Sequence, residues 1–110
     1  MDYIKVFQTN DLLPGEMKSV KIGKKEILVA NLHGEDFAID NKCSHLGGSL
    51  SKGEREGSIV TCPRHGAEFD LKTGSAVGKA KIAVLKMGVK DLASFPVKVE
   101  GPDVLIGIPE

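Results

Sequence analysis

The 110-residue sequence contains no tryptophan, one tyrosine and only two cysteines, and its acidic and basic residues cancel at 15 each. A net charge of zero provides no field that would draw the chain to nucleic acid or to an anionic membrane, so neither is predicted as a partner. The sequence has no run of 18 apolar residues and no secretory cleavage pattern, which predicts a cytoplasmic protein without an anchor. Its length predicts one domain, residues 1–110, with a single core.

A sustained helical period is also missing. Short runs rich in Val, Ile and Phe are separated by Gly, Pro and Asp, and several alternate with the period of two that is typical of half-buried strands. The pattern predicts an all-β fold, either a sandwich or a small barrel. The predicted strands are 4–8, 17–22, 26–31, 36–40, 58–61, 68–70, 95–100 and 104–108. Turns are predicted at 33–35, 72–74 and 101–103, whereas 79–94 is compatible with strand, helix or loop.

Each of the two cysteines is followed within three residues by a histidine. Cys43 and His45 are separated by one residue, Cys62 and His65 by two, and each pair is predicted to lie in a loop after a strand. A disulfide is not expected in a chain without a secretory signal. Together the two segments offer two soft thiolates and two imidazoles to a metal centre. Glycines next to the histidine segments, such as Gly66, allow the backbone to approach the bound group closely.

Two kinds of metal centre use this ligand set. Structural zinc sites mostly gather like ligands into a pair of cysteines and a pair of histidines, whereas here the order alternates. In the mixed-ligand [2Fe-2S] centre, one iron is held by two thiolates and the other by two imidazoles, so two facing loops that each supply one ligand of both types can hold it. The ligand order favours the iron-sulfur centre, and a zinc-stabilised binding module remains the alternative.

With these two segments the sequence resembles the Rieske family, whose ligand boxes have the spacings C-x-H and C-x2-H. The resemblance extends to Asp40, to 69–70 and 73–74, and to the closing segment 95–101. It implies the Rieske fold, an antiparallel β-sandwich base with a small inserted cluster-binding subdomain at about residues 41–74. It also implies one [2Fe-2S] cluster per chain. The implied cofactor-binding and metal-ligating residues are Cys43, His45, Cys62 and His65.

The sequence also departs from part of that family. The Rieske subunits of respiratory and photosynthetic cytochrome complexes carry an additional cysteine in each box, where this sequence has Gly48 and Arg64. They also place a serine and a tyrosine where this sequence has Ala67 and Phe69. The chain therefore resembles the soluble ferredoxins that serve oxygenases. Without the two hydroxyls, we expect a potential toward the low end of the Rieske range, about −150 to +300 mV.

The resemblance implies a one-electron carrier that is not itself an enzyme, because the chain is too short to house a second, catalytic iron site. Its expected partners are a reductase as donor and an oxygenase or another redox enzyme as acceptor. A carrier for a system unrelated to ring hydroxylation is the alternative within electron transfer. The expected contact surface is the cluster tip near His45, Leu46, Pro63 and His65, where the two apolar residues could equally shield the cluster.

Two further groups of polar residues receive no role in this prediction. His33 lies in a predicted hairpin turn, where it is expected to be a solvated residue and not a ligand or base. The charged segment 54–56 is predicted to be the solvated face of a loop, with contact to a partner as an alternative.

Overall fold

The computed structural model describes residues 2–42, 49–63, 66–77 and 90–109. Within these ranges the chain forms eleven β-strands and two single-turn 3-10 helices, Thr9–Asp11 and Leu50–Lys52. The strands are β1 (Asp2–Gln8), β2 (Met17–Ile22), β3 (Lys25–Leu32), β4 (Glu35–Asp40), β5 (Glu54–Glu56), β6 (Ile59–Thr61), β7 (Glu68–Asp70), β8 (Ala76–Val77), β9 (Ser94–Phe95), β10 (Val97–Glu100) and β11 (Asp103–Ile108). No described helix is long and apolar enough to cross a membrane.

The strands pair into three antiparallel sheets, which confirms the predicted all-β class. The first sheet has the order β1-β11-β10, the second β2-β3-β4-β9 and the third β5-β6-β7-β8. The third sheet is built entirely from residues between Glu54 and Val77. It therefore lies within the part of the chain that contains the second cysteine-histidine segment.

Strand β3 shows that the second sheet lies between the first sheet and the third. Residues 27–32 are all buried, because alternate side chains of β3 point to opposite faces of the sheet and both faces are covered. Ile27 and Val29 belong to one core cluster, with Phe7 and Ile106 of the first sheet. Leu28 belongs to a second cluster, with side chains of the third sheet. The prediction of a single core from the length is thus wrong for the described residues. They form two hydrophobic clusters, one on each face of the second sheet.

The predicted turns at 33–35 and 101–103 are confirmed as two-residue hairpin loops. His33 and Gly34 link β3 to β4 with φ of 56° and 91°, the left-handed pair that matches the twist of a hairpin. His33 is exposed, as predicted. Gly101 and Pro102 link β10 to β11. In the predicted turn at 72–74, the N–H of Gly74 donates to the Asp70 carbonyl at 2.7 Å.

Three parts of the structure differ from the strand prediction. The segment 54–56, predicted as a loop, forms β5, because a tight turn at Gly57 and Ser58 pairs it with β6. The predicted strand 95–100 is divided at Pro96 into β9 and β10, which belong to different sheets; proline lacks the N–H that a continuous ladder needs. Strand β8 was not predicted. In the interval 79–94, residues 79–89 lie outside the described residues, 90–93 are irregular, and β9 begins at Ser94.

Candidate metal centre

The structure describes one of the four predicted ligands, Cys62. Cys43, His45 and His65 lie outside the described residues, as do Leu46, Gly48 and Arg64. The geometry of the site is therefore read from Cys62 and from the residues that flank the two segments.

Cys62 directly follows β6 and opens the turn that leads to β7. Its N–H donates to the Ala67 carbonyl at 2.7 Å, and its own carbonyl accepts from the N–H of Gly66 at 3.1 Å. Gly66 has a φ of 73°, a conformation that glycine adopts without the steric cost borne by other residues. The backbone on both sides of Cys62 is thus fixed by the turn that contains it.

The side chain of Cys62 lies in an apolar environment. The residue is only 2% exposed and belongs to the core cluster that also contains Leu50, Val60, Ala67 and Phe69. Among the described residues its thiol is free and forms no disulfide. A thiolate held by a fixed turn and shielded from water is suited to bind a soft metal, because the surrounding apolar shell limits solvent access.

A cavity of about 460 Å³ lies against Cys62. It is bounded on one side by Lys52, Gly53 and Glu54, which follow the first segment, and on the other by Thr61, Cys62, Pro63 and Gly66. Pro63 is exposed. The cavity is therefore lined both by the chain that follows the first cysteine-histidine segment and by the start of the second.

Gly53 brings these two stretches of chain together. A side chain at this position would overlap the carbonyl oxygen of Thr61, so only glycine allows the approach. Sequence reasoning missed this residue, because Gly53 lies outside both ligand segments and its partner is eight positions further along the chain. Only the pairing of β5 with β6 makes the contact visible.

The two ends of the first segment are also held next to each other. Lys42 and Ser49, which flank residues 43–48, form an isolated antiparallel bridge. Leu50 follows directly, is fully buried, and lies in the same core cluster as Cys62. The two ends of the first segment thus lie side by side, next to the hydrophobic core that contains Cys62 of the second segment.

The residues present fit a mixed-ligand iron-sulfur centre. Cys62 is a buried thiol, free among the described residues, in a turn that contains a glycine at positive φ, with a cavity beside it. Within the described ranges, no group of three or more His, Cys, Asp or Glu side chains could hold a metal ion elsewhere. The predicted donor set of two thiolates and two imidazoles, of which the structure describes Cys62, has the chemistry of a Rieske centre.

The sequence is similar to those of known ferredoxins. The model of the Rieske [2Fe-2S] domain matches residues 2–96, a span that contains both ligand segments. The ferredoxin component of biphenyl 2,3-dioxygenase from Rhodococcus jostii is 41% identical over 108 residues, covering 98% of this chain and 94% of the relative. The ferredoxin component of the alkene monooxygenase system from Xanthobacter autotrophicus is 33% identical, covering 97% of this chain and 82% of the relative.

A solved structure gives the same result for the fold. A chain in the complex of reduced oxygenase and oxidised ferredoxin in carbazole 1,9a-dioxygenase superposes with a TM-score of 0.81 at 27% identity. The alignment covers 94% of this chain and 91% of that chain.

Proposed function

The chain belongs to the Rieske [2Fe-2S] domain family, and from this premise we propose that it is the ferredoxin component of an oxygenase system. In this role it carries one electron at a time from a reductase to an oxygenase. The observation that carries the proposal is the 41% identity to the biphenyl 2,3-dioxygenase ferredoxin component over 98% of the chain. The similarity to a chain from a complex of oxygenase and ferredoxin supports an oxygenase as the acceptor.

We propose that Cys43 and Cys62 hold one iron of the cluster and that His45 and His65 hold the other. The burial of Cys62 and its backbone-fixed turn support this assignment. When bound, the cluster supplies one-electron redox chemistry, at a higher potential than an all-cysteine cluster because neutral imidazoles replace two charged thiolates. The apolar surroundings of Cys62 would shield the cysteine side of a bound cluster from water, and His45 and His65 would provide the side that a partner approaches.

The partner surface in this proposal is the tip that contains both histidines. Pro63 is exposed, precedes His65 by two residues in the sequence, and would provide an apolar contact for a partner. Electron-transfer complexes are small and transient, with interfaces below about 1,200 Å². A few apolar residues around the ligands are therefore sufficient for docking.

The alkene monooxygenase relative favours a second candidate acceptor. A ferredoxin component of that system is 33% identical to this chain. Oxygenases of more than one substrate class are thus compatible with the observed similarity, and the substrate oxidised downstream belongs to the acceptor.

We also propose a cytoplasmic location for the protein. Cysteine ligands must be reduced to bind a metal, and among the described residues Cys62 forms no disulfide. The cytoplasm keeps thiols reduced, whereas secreted cysteines are usually paired.

The proposal is tested by replacing the ferredoxin component of the Rhodococcus jostii biphenyl 2,3-dioxygenase system with this chain. With the reductase and oxygenase of that system and an electron donor for the reductase present, we expect oxidation of biphenyl that depends on this chain and is lost with Cys62→Ser. The Xanthobacter autotrophicus alkene monooxygenase system, treated in the same way, separates the two candidate acceptors. A cluster that is reduced normally by dithionite but supports turnover in neither system would contradict an oxygenase role. Zinc in place of iron in the purified protein would contradict the carrier role altogether.

A further inference from the structure

The side chain of Asn41 joins both ends of the first ligand segment. Asn41 is 1% exposed and lies two residues before Cys43. Its Nδ2 donates to Ser49 Oγ at 2.8 Å, and its Oδ1 accepts from the N–H of Ser51 at 2.8 Å. Its carbonyl oxygen accepts from the N–H of Leu50 at 2.8 Å. Asn41, which precedes the segment, thus contacts the three consecutive residues that follow it, 49–51.

Asn41 is also tied to the middle sheet. Its backbone N–H donates to the Glu26 carbonyl at 2.9 Å, and its Nδ2 lies 3.4 Å from Glu26 Oε2. The hydroxyls of Ser49 and Ser51 are 3.0 Å apart. Because both polar atoms of the Asn41 side chain have partners, the buried amide is held in one orientation. Loss of the side chain would leave the part-buried N–H of Ser51 without this acceptor.

The same contacts link the first segment to the second. Leu50, which is bonded to Asn41, packs in the core cluster of Cys62. Gly53, three residues later, lies against Thr61, the residue before Cys62. A shift of the chain at Asn41 would therefore also move the chain at Leu50 and Gly53 that packs beside Cys62.

On these contacts we propose that Asn41 is a positioning residue for the cluster, because it holds the chain before residues 43–48 against residues 49–51, the chain after them. This inference rests on the proposed ligand set. Asn41 acts through the chain that carries the ligands and is not itself a ligand. Groups that orient ligands commonly change metal retention by about 10-fold to 100-fold when removed. We expect the lower end of that range, because Asn41 holds the ends of the ligand segment.

Asn31 provides a matched control. It is the other buried asparagine of the described residues, at 8% exposure, and it also closes local structure with its side chain. Its Nδ2 donates to the Leu12 carbonyl at 3.0 Å, and its Oδ1 accepts from the N–H of Gly34 at 2.8 Å. On β3 it is five residues from Glu26, about 16 Å along the strand. Asn31→Ala therefore removes buried hydrogen bonds without touching a flank of either ligand segment.

The experiment compares cluster loss in cluster-loaded full-length protein. Oxidised parent, Asn41→Ala and Asn31→Ala are mixed with EDTA and the visible absorption is followed, while urea unfolding gives the stability of each. We expect Asn41→Ala to lose its cluster about tenfold faster than the parent and to shift the EPR g values of the reduced cluster. We expect Asn31→Ala to stay within about twofold of the parent, with an unchanged EPR spectrum, at a similar loss of folding stability.

Equal rates of cluster loss and identical EPR spectra for the two variants would overturn the proposal. If Asn41→Ala does not fold, Ser49→Ala removes one acceptor of the same side chain; a several-fold faster loss supports the proposal, and an unchanged rate overturns it. A parent protein without iron would overturn the proposed function and this inference together. A parent with a full cluster and no difference between variants would overturn the positioning role alone.

Discussion

The thiol of Cys62 lies among apolar side chains, while the backbone N–H and carbonyl of the same residue are both bonded within the following turn. The order and spacing of the two Cys-His segments, and their resemblance to the Rieske boxes, predicted this residue as a ligand, and its burial agrees with that prediction. The four-residue ligand assignment stays a prediction. Asn41 and Gly53 could not have been predicted, because their contacts join residues that only the folded backbone brings together.

Cys62→Ser should remove the cluster. A hydroxyl is a poor replacement for a thiolate ligand, and the apolar surroundings of residue 62 also disfavour a polar atom without a partner. We expect iron below about a tenth of the parent content, and a free energy of unfolding lower by about 1–3 kcal/mol from the buried hydroxyl alone. Iron and acid-labile sulfide analysis measures the first and urea unfolding the second.

Thr61→Ser provides the control for that variant. Thr61 precedes Cys62 and lines the same cavity, but its side chain is not among the proposed ligands. Its substitution should leave the iron content at the parent level. Parent-level iron in Cys62→Ser would show that Cys62 is not a ligand.

Ala67→Ser should raise the reduction potential. Ala67 is 5% exposed and belongs to the same hydrophobic core as Cys62. A hydroxyl at this position therefore has few acceptors other than sulfur. A hydrogen bond to a charged group contributes about 1.5–3 kcal/mol, and about half of this would differ between the two oxidation states. Since 59 mV corresponds to about 1.4 kcal/mol for one electron, protein-film voltammetry should show an increase of about 30–65 mV.

Phe69→Tyr should raise the potential by a similar amount, but at a cost in stability. Phe69 is fully buried, so the added oxygen overpacks the core and would lower the free energy of unfolding by about 1–3 kcal/mol. If both variants keep an intact cluster by EPR and match the parent potential, the missing sulfur hydrogen bonds do not explain a low potential. Solvent exposure of the cluster would then be the better explanation.

Asp36→Asn should stabilise the protein at neutral pH. Burial raises the pKa of Asp36 above 3.8, and its Oδ1 has no hydrogen-bond partner among the described residues. The folded carboxyl therefore binds its proton more tightly than the unfolded one, and the parent loses stability as the pH rises above that value. Urea unfolding should show a variant advantage that is larger at pH 7 than at pH 4. Glu35→Gln controls for the loss of a nearby charge, and a pH-independent difference would contradict the assignment.

At the scale of the strand, hydrophobic pattern predicted the elements that have a buried face. Strands β2 and β7 have the predicted bounds, and β3 and β4 differ by one residue at their ends. Strand β5 was missed because it contains only Glu and Arg and is defined by its pairing with β6. Arg55 adds a link that no local pattern indicates, since its guanidinium donates to the Gly15 carbonyl at 3.1 Å, 40 residues away.

Gly53→Ala should destabilise the third sheet. The added methyl would overlap the Thr61 carbonyl, so β5 must move away from β6, and such overpacking costs about 1–3 kcal/mol. Gly57→Ala, in the turn of the same hairpin, meets no neighbour. It should lower the free energy of unfolding only through the unfavourable φ of 60°, by about 1–2 kcal/mol. Because the shift occurs next to Cys62, Gly53→Ala should also lose the cluster faster in EDTA. Equal cluster retention in the two variants would contradict this link.

At the scale of the whole molecule, the predicted Rieske fold and family are confirmed by the match over residues 2–96 and by the antiparallel sheets. The two-sided burial of the middle sheet could not be read from length or composition, because a continuous apolar run such as residues 27–30 is equally compatible with one core. The inserted cluster-binding subdomain at about 41–74 stays a prediction. It agrees with a third sheet confined to Glu54–Val77.

The most direct test of the central claim is pulsed EPR on the reduced protein labelled with ¹⁵N-histidine. The chain contains three histidines, so the experiment can assign each one. We predict couplings from two histidine nitrogens bound to iron, with one coupling lost in His45→Cys or His65→Cys if the cluster is retained, and both kept in His33→Asn. Absence of histidine couplings in the parent, or their loss in His33→Asn, would contradict the proposed ligation by Cys43, His45, Cys62 and His65.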